Sequence, residues 1–565
     1  MSYLRAAAAA GVLAAALTAA IPAQAAEQQI FAAGNQFAPP TVAAGQGDSL
    51  RFDNTDVASH NITSVGSPHF GTQGNISPGS SGNVYGVSSL APGDYHFVCT
   101  LHPGMTGILH VGAAGAPGLP GLPQFSPSAP LDPASLLPKV APAPLRGGSW
   151  PFYGRDLRNS RDGGPSGPSW NEVPTLGPVW SFHSTVGDFT GTPVIAHGTL
   201  IAGAFGGTVF ALDASTGRLR WQRALGQPIN GTAAIAGGRV YVPLAKPNAP
   251  AVAALRLRDG RVLWRKRVDK QKDADVYGSP VVWRHRVFIG ISALYGETSD
   301  PNVKVRGAMV ALSTRTGRIL WKRYMVPRGR DGAAIWDTPA IDTHSRLLYI
   351  GTGNAYHAPA APTTDAMVAL STRTGRIVAH RQVTAGDVWN ETSNITAGPD
   401  ADFGASPQLI RSPQGALLVG DGQKSGTYWA FARRGLKPAW NTTIGPGAFI
   451  GGVVGSTAYD GTRIYGPNTP AGEIWGLGTD GRLAWVSSDG GPLHFGPVSV
   501  ANGVVYSSDM DGVLTARDAG TGVALAHLPL GGPSWGGVAI AGGYVFAVTG
   551  IEGSSGWVVA YRPQG

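Results

Sequence analysis

One phrase recurs along most of this chain. It stands as ALDASTGRLRW from Ala211, ALRLRDGRVLW from Ala254, ALSTRTGRILW from Ala311 and ALSTRTGRIVA from Ala369. Weaker copies are AFARRGLKPAW from Ala430, GLGTDGRLAW from Gly476 and ARDAGTGVALA from Ala516. Each copy reads as a strand, a tight turn closed by glycine, and a second strand; a Gly-rich turn and a strand such as GGRVYVPL, SRLLYIGTG or NGVVYSSD precede it. A spacing of about 40 to 60 residues suits one four-stranded propeller blade. Seven phrases are complete, and an eighth starts as VVAYRPQG and stops before its last strand. The segment GPVWSF, with Trp180, has the form of a closing strand without a blade of its own. Pairing the two predicts an all-β, eight-bladed β-propeller over residues 149–565, closed by its N- and C-terminal strands, with no sheet edge left open.

Most phrases end in tryptophan: Trp221, Trp264, Trp321, Trp440 and Trp485, with Trp180 closing the ring. A large flat side chain at a fixed place in successive blades packs one sheet against the next, so these are core residues. Ala379 and Ala526 break the series. Departures from the repeat carry more functional information, since a propeller alone decides no function. Blades between Ile291 and Tyr428 carry long insertions rich in polar and aromatic residues, which predicts extra loops on one rim.

The first 25 residues have a different character. A basic start (MSYLR), an Ala/Leu-rich run through Ile21 and the small-x-small site Ala23-Gln24-Ala25 make a secretory signal over 1–25, too short in its apolar part to span a bilayer. The mature chain is then expected to be secreted or periplasmic, in an oxidising compartment, with no membrane span. The net charge of +9 is spread through Arg-rich turns without a basic run, which argues against nucleic acid.

Cys99 is the only cysteine, so it cannot pair within the chain. It stands in CTLHPGM, with His102 and Met105 at steps of three, and ASHNI places His60 upstream. A thiolate, two imidazoles and a weak thioether are the donors that suit copper in both oxidation states. The flanking segments SLRFD and GDYHFVC alternate, so Tyr95, Phe97 and Cys99 share one strand face and the sulfur points inward. His69, His96 and His110 have no such setting and read as ordinary surface or strand histidines. Residues 26–112 resemble a small cupredoxin, a Greek-key sandwich similar to plastocyanin and still more to amicyanin, whose ligand loop is the short Cys-x-x-His-x-x-Met form. The resemblance implies a type 1 (blue) copper centre with ligands His60, Cys99, His102 and Met105, and a role in electron transfer. Residues 113–148, rich in proline and poor in charge, read as an extended tether to the propeller.

From Trp150 onward the chain resembles the quinoprotein alcohol dehydrogenases, above all their polyvinyl-alcohol dehydrogenase branch. The likeness begins at WPFYGRDLRNSR and is sharpest in AAIWDTPAIDTHSRLLYIGTGNAYH, GPDADFGASPQLI and GQKSGTYWAFAR. It implies pyrroloquinoline quinone (PQQ) on the propeller axis with calcium. Trp336, outside the repeated closing position, would lie beneath the quinone. Lys424 would stand near the quinone oxygens, and Arg306 in KVRG would meet a cofactor carboxylate. Asn354 in GTGN would be a calcium ligand through its amide oxygen, and Glu297 in SALYGE falls near the family's metal-binding glutamate, about one place late. Asp402 in GPDADFG would be the base that takes the alcohol proton, with Asp400 its near rival. The segment GDVWN is similar to the Trp-Asp step of methanol dehydrogenases, with Asn390 in the aspartate's place, and asparagine cannot serve as a base.

These two resemblances complete each other. Oxidising an alcohol leaves two electrons on the cofactor, and a copper domain passes electrons singly. No Cys-x-x-Cys-His is present to hold a haem. The expectation is therefore an enzyme that oxidises a small or polymeric alcohol and delivers electrons through copper to an external acceptor. The alternative is a non-catalytic extracellular binding platform carrying a copper module. Nitrous-oxide reductase also joins propeller to cupredoxin, but its dinuclear copper centre needs two cysteines. GDGQKSG has the glycines and lysine of a phosphate loop in the wrong order.

Overall fold

The computed structural model describes residues 27–112 and 133–564, apart from 34–35, 39–40, 55–58, 78–79, 103–104, 391–398, 446, 448–450, 470 and 489–492. The expected signal at 1–25 and the first part of the expected tether, 113–132, lie outside the described residues.

The N-terminal part is all strand. Nine strands run in the hydrogen-bonded order Gln36–Ala38, Glu27–Ala33, Ser49–Asn54, Ser81–Tyr85, Gly71–Thr72, Thr63–Ser64, Gly93–Val98, Thr106–Gly112 and Thr41–Gly45. The pairs at 27–33 with 49–54 and at 41–45 with 106–112 are parallel; the rest are antiparallel. This order wraps round one core in which Phe37, Phe52 and Phe97 meet edge to face. Cys99 and Met105 belong to that core.

The larger part consists of eight four-stranded antiparallel sheets. We number the blades 1 (194–224), 2 (234–267), 3 (281–324), 4 (340–382), 5 (408–443), 6 (458–488), 7 (499–529) and 8 (539–563). Blade 8 takes its outer strand, Leu176–Ser184, from the other end of the domain, paired along its length with Gly556–Pro563. The innermost strands of blades 8 and 1 are neighbours, which closes the ring. The expected eight-bladed ring closed by terminal strands is the one observed.

The repeated phrase has a specific physical basis. Trp180, Trp221, Trp264, Trp321, Trp440 and Trp485 each donate Nε1–H to a backbone carbonyl in the turn of the next blade, at 2.7–3.2 Å. Each indole also lies flat on that turn's glycine: a Cβ built on Gly317 would stand 2.6 Å from Trp264, and one on Gly217, Gly260, Gly375, Gly481 or Gly522 would collide similarly. These glycines also have positive φ, 69° at Gly317, so the position excludes side chains twice over. The two alanines now find their reason. Blade 5's Gly435, which faces the blade containing Ala379, has open space where an indole would lie. Ala526 faces blade 8, whose third and fourth strands come from opposite ends of the domain and share no turn to cover.

The tether reading fails for residues 133–148. Leu136 and Val140 are buried in the propeller core beside Trp180, and Lys139 and Val140 donate to Pro178 O at 2.8 and 3.2 Å. Ala143 N donates to Tyr544 Oη, and Arg146 N to Gly542 O. Scarcity of charge signalled burial here as much as extension.

Replacing Gly317 by alanine should cost about 2–4 kcal/mol, combining a left-handed backbone penalty with a steric clash against Trp264. Gly435→Ala, with φ 78° and no indole above it, should cost only about 1 kcal/mol. Denaturant midpoints of the two variants test this; equal losses would refute the clasp.

Candidate redox sites

The first site lies at the end of the Gly93–Val98 strand, which delivers Cys99 to the core at 3 % exposure. His60, fully buried, and the half-buried His102 present Nδ1 atoms 3.6 and 3.5 Å from Cys99 Sγ. A first-row metal about 2.0 Å from an imidazole nitrogen and about 2.3 Å from a thiolate, at roughly tetrahedral to trigonal angles, spaces those atoms about 3.5–3.7 Å apart. The three donors therefore already stand at metal-ligand separations, all within 4.8 Å of one another. Met105 is buried beside them and tied into the loop: its N–H donates to His102 O, and its carbonyl accepts from Cys99 N–H. Asn61 was missed by sequence reasoning. Its backbone N–H points at Cys99 Sγ from 3.4 Å, and its amide clamps Thr100 by two hydrogen bonds of 2.6 and 2.8 Å. The only sequence signal is its place next to His60.

The second site sits at the propeller hub. A cavity of about 290 Å³ opens there, lined by Tyr277, Glu297, Trp336, Trp389, Lys424 and Trp535 among others. Glu297, Asn354 and Lys424 come from connections between second and third strands, while Tyr277, Trp336 and Asp402 precede first strands. Antiparallel blades bring both sets of connections to one rim. Asp402 accepts from Asn354 N–H at 2.6 Å and from Trp336 Nε1–H at 3.1 Å. The second glycine of GTGN permits this, for a Cβ on Gly353 would stand 2.8 Å from the Asp402 carboxylate. Asn354 spends its Nδ2 on Ala355 O and Trp389 O, leaving its amide oxygen as the group able to bind a cation. Trp389 carries Asn390 to this same place, buried beside Asn354 rather than remote from it.

Lys424 is the cation of the hub. Its Nζ lies 2.8 Å from Asp400 and 3.7 Å from Asp402, and within 5.6–5.7 Å of the Trp389 and Trp336 rings. Burial pulls its pKa down, but Asp400, Asp402 and Glu297 outweigh burial and hold it above its ordinary value. One ammonium facing three carboxyl groups suits a further divalent cation, for which the Glu297 carboxylate and the Asn354 amide are hard oxygen donors. The walls suit a polar guest: Thr232 Oγ1, Asp337 Oδ1 and Trp535 Nε1 line the cavity, are buried, and have no partner in the protein. None of these three was singled out from the sequence.

Arg306 requires a correction. Its guanidinium donates to Val326 O at 2.7 and 3.2 Å and stacks 4.0 Å over Tyr324 on the outer strand of its own blade, away from the cavity. The short bridge of Arg306 to Gly332 turns its side chain outward. Glu297, by contrast, reaches the cavity despite its displaced place in the sequence, because the helical turn Leu294–Glu297 swings it inward.

Comparison with known proteins bears on both domains. Residues 6–111 match the model of the cupredoxin-like domain, and residues 174–442 match the PQQ_2 model, described as outer membrane protein assembly factor BamB. The N-terminal part is thus similar to cupredoxin-like domains and the propeller to PQQ-type ones. Its relatives include the polyvinylalcohol dehydrogenase of Sphingopyxis sp. (strain 113P3), 28% identical over 459 residues that make up 68% of this chain and 70% of that one. The polyvinylalcohol dehydrogenase of a Pseudomonas sp. is 28% identical over 60% of this chain and 58% of its own length, so the chain spans under two thirds of that relative. Among solved structures, the quinohemoprotein alcohol dehydrogenase ADHIIG of Pseudomonas putida HK5 superposes with a TM-score of 0.64 at 19% identity, over 74% of this chain and 80% of that one.

The cupredoxin-like domain and the propeller meet at the hub. Thr100, the residue after Cys99, lines the same cavity as Trp336 and Lys424. Its two bonds to Asn61 make Thr100 a rigid extension of the sulfur-imidazole cluster.

Titration of the full chain with Cu2+ should produce an intense visible band from thiolate-to-copper charge transfer. Cys99→Ser should abolish the band, and His60→Ala should weaken Cu2+ binding at least about tenfold. An unchanged spectrum in Cys99→Ser would place the metal elsewhere.

Proposed function

We propose that this chain is an exported dehydrogenase that oxidises an alcohol at the propeller hub and passes the electrons to type 1 copper in the cupredoxin-like domain, and from there to an external acceptor. The observation that carries this reading is the shared cavity: Trp336, Lys424 and Glu297 line it together with Thr100, next to Cys99, and Asp402 touches both Trp336 and Lys424. The dehydrogenase relatives supply the reaction class.

Trp336, Lys424 and the unpartnered polar atoms of the cavity would hold PQQ; Glu297 and Asn354 would hold calcium; His60, Cys99, His102 and Met105 would hold copper. When bound, PQQ supplies the acceptor for the alcohol's hydride, calcium draws electron density from it, and copper supplies a one-electron outlet. This chain's residues do the rest. Asp402 accepts the proton from the hydroxyl oxygen while hydride leaves the carbon that bears it, so that the alcohol becomes a carbonyl compound. Two N–H donors and the nearby ammonium fix the carboxylate's orientation, which places the acceptor oxygen before substrate arrives. Asp400, hydrogen-bonded to Lys424, keeps that ammonium in place. Asn390, an amide, cannot accept the proton. Phe495, Val454 and Trp535 add apolar wall to the cavity.

The full chain supplied with PQQ, Ca2+ and Cu2+ should reduce a dye in an alcohol-dependent manner. Asp402→Asn should lower kcat by about 10²–10⁴ while leaving PQQ uptake intact. Cys99→Ser should keep dye reduction at the hub but lose bleaching of the copper band on addition of alcohol. Failure of the unsubstituted protein to take up PQQ would favour the non-catalytic platform.

A further inference from the structure

Glu552 is a costly residue for its surroundings. It sits at φ 73°, a backbone region that favours glycine, in the loop between the second and third strands of blade 8. The loop is pinned on either side of it, since the buried Asp188 carboxylate accepts from Ile551 N–H at 2.6 Å and Gly553 N–H at 2.5 Å. Thus held, Glu552 accepts a hydrogen bond of 2.9 Å from Tyr295 Oη. Tyr295 belongs to blade 3, and blades 1 and 2 stand between the two partners, so the bond spans a sector of the rim rather than joining neighbours.

What Tyr295 carries explains the arrangement. It lies in the helical turn Leu294–Glu297, four residues long and unable to persist alone in water. The base of this turn is fixed by Asp275, which accepts from Tyr295 N–H at 3.0 Å and from the Ser292 hydroxyl. Its outer side is fixed by Glu552 through the Tyr295 phenol. On its inner side Leu294, Glu297 and Thr298 line the hub cavity, and Tyr277 packs between Tyr295 and Trp336 at ring distances of 6.1 and 6.4 Å. The turn is thus held from both sides, and the group presented inward is the Glu297 carboxylate.

We infer that Glu552 and Tyr295 are positioning residues for the calcium site, a strut from blade 8 that sets Glu297 at the distance and angle at which it meets the cation. This rests on the reading of Glu297 and Asn354 as calcium ligands. It also accounts for a glutamate displaced in sequence that nevertheless faces the cavity: the strut, rather than local register, determines where the carboxylate lies. Outer groups that orient a metal ligand commonly change affinity by about 10–100-fold when removed.

The test is calorimetric titration of Ca2+ into the full chain saturated with PQQ. Tyr295→Phe, which removes one oxygen, and Glu552→Ala should each raise the calcium dissociation constant about tenfold. The double variant should be no worse than either single one, since both break the same bond. Glu552→Gln, which keeps an acceptor for the phenol, should fall between Glu552→Ala and the unsubstituted protein. Unchanged affinity in both single variants, with normal binding in the parent, overturns the inference and leaves the calcium reading standing. Losses that multiply in the double variant overturn it too, as does a parallel loss of Cu2+ binding, which would mark general unfolding. A parent protein that binds no calcium overturns both readings together.

Discussion

The clasp of an indole over a bare backbone turn is the contact on which this architecture depends. A four-stranded sheet alone buries too little, so neighbouring blades must grip each other, and at six of the eight junctions an indole provides that grip. Here one side chain does so in two ways, by covering a glycine that cannot carry a Cβ and by donating a hydrogen bond to the same turn. The grip lies toward the outside of the ring, on the strands farthest from the axis. The connections at the hub are thereby relieved of holding blades together, and they are free to carry polar groups that would weaken a core.

The two candidate sites divide their chemistry by donor type. Sulfur and imidazole gather in the small sandwich, on a strand end and a tight loop braced by Asn61. Carboxyl, amide and ammonium groups gather at the hub, braced by indoles. Softness on one side and hardness on the other sort metals without a selectivity device. Burial sharpens the hub's electrostatics: Asp337, Asp400 and Asp421 are all pushed well above the ordinary carboxylate range by desolvation, even where Lys424 pulls Asp400 the other way. Such a density of costly groups in one place is a mark of function rather than of stability.

Periodicity made the ring legible, since each blade repeats the same strand, turn and tryptophan, and even the donated strand at Trp180 could be read. The copper-type constellation was legible because three of its donors lie within seven residues. The hub was legible only in part. Asp402, Asn354, Trp336 and Lys424 come together as the motifs implied, but Arg306 does not, because a local bridge rotates it onto Tyr324 and nothing in KVRG records that. Tyr277, Asp337, Trp535 and Glu552 left no mark, for each depends on which blades face one another across the axis. The residues 133–148 misled for a simpler reason: proline-rich sequence is compatible with a docked segment as well as a free one, and only the fit of Leu136 and Val140 against the closing blade decides.

Blade 8 draws its last inner strand and its outer strand from opposite ends of the domain, and Glu552 lies in the hairpin that accepts the donated strand. During synthesis this hairpin is the last part of the ring to emerge, and its sheet stays incomplete until the first strand is brought round to it. The turn that carries Glu297, three blades round on the same rim, therefore gains its brace only after the circle has shut. Assembly thus has a built-in order: the wheel closes before its hub can be furnished.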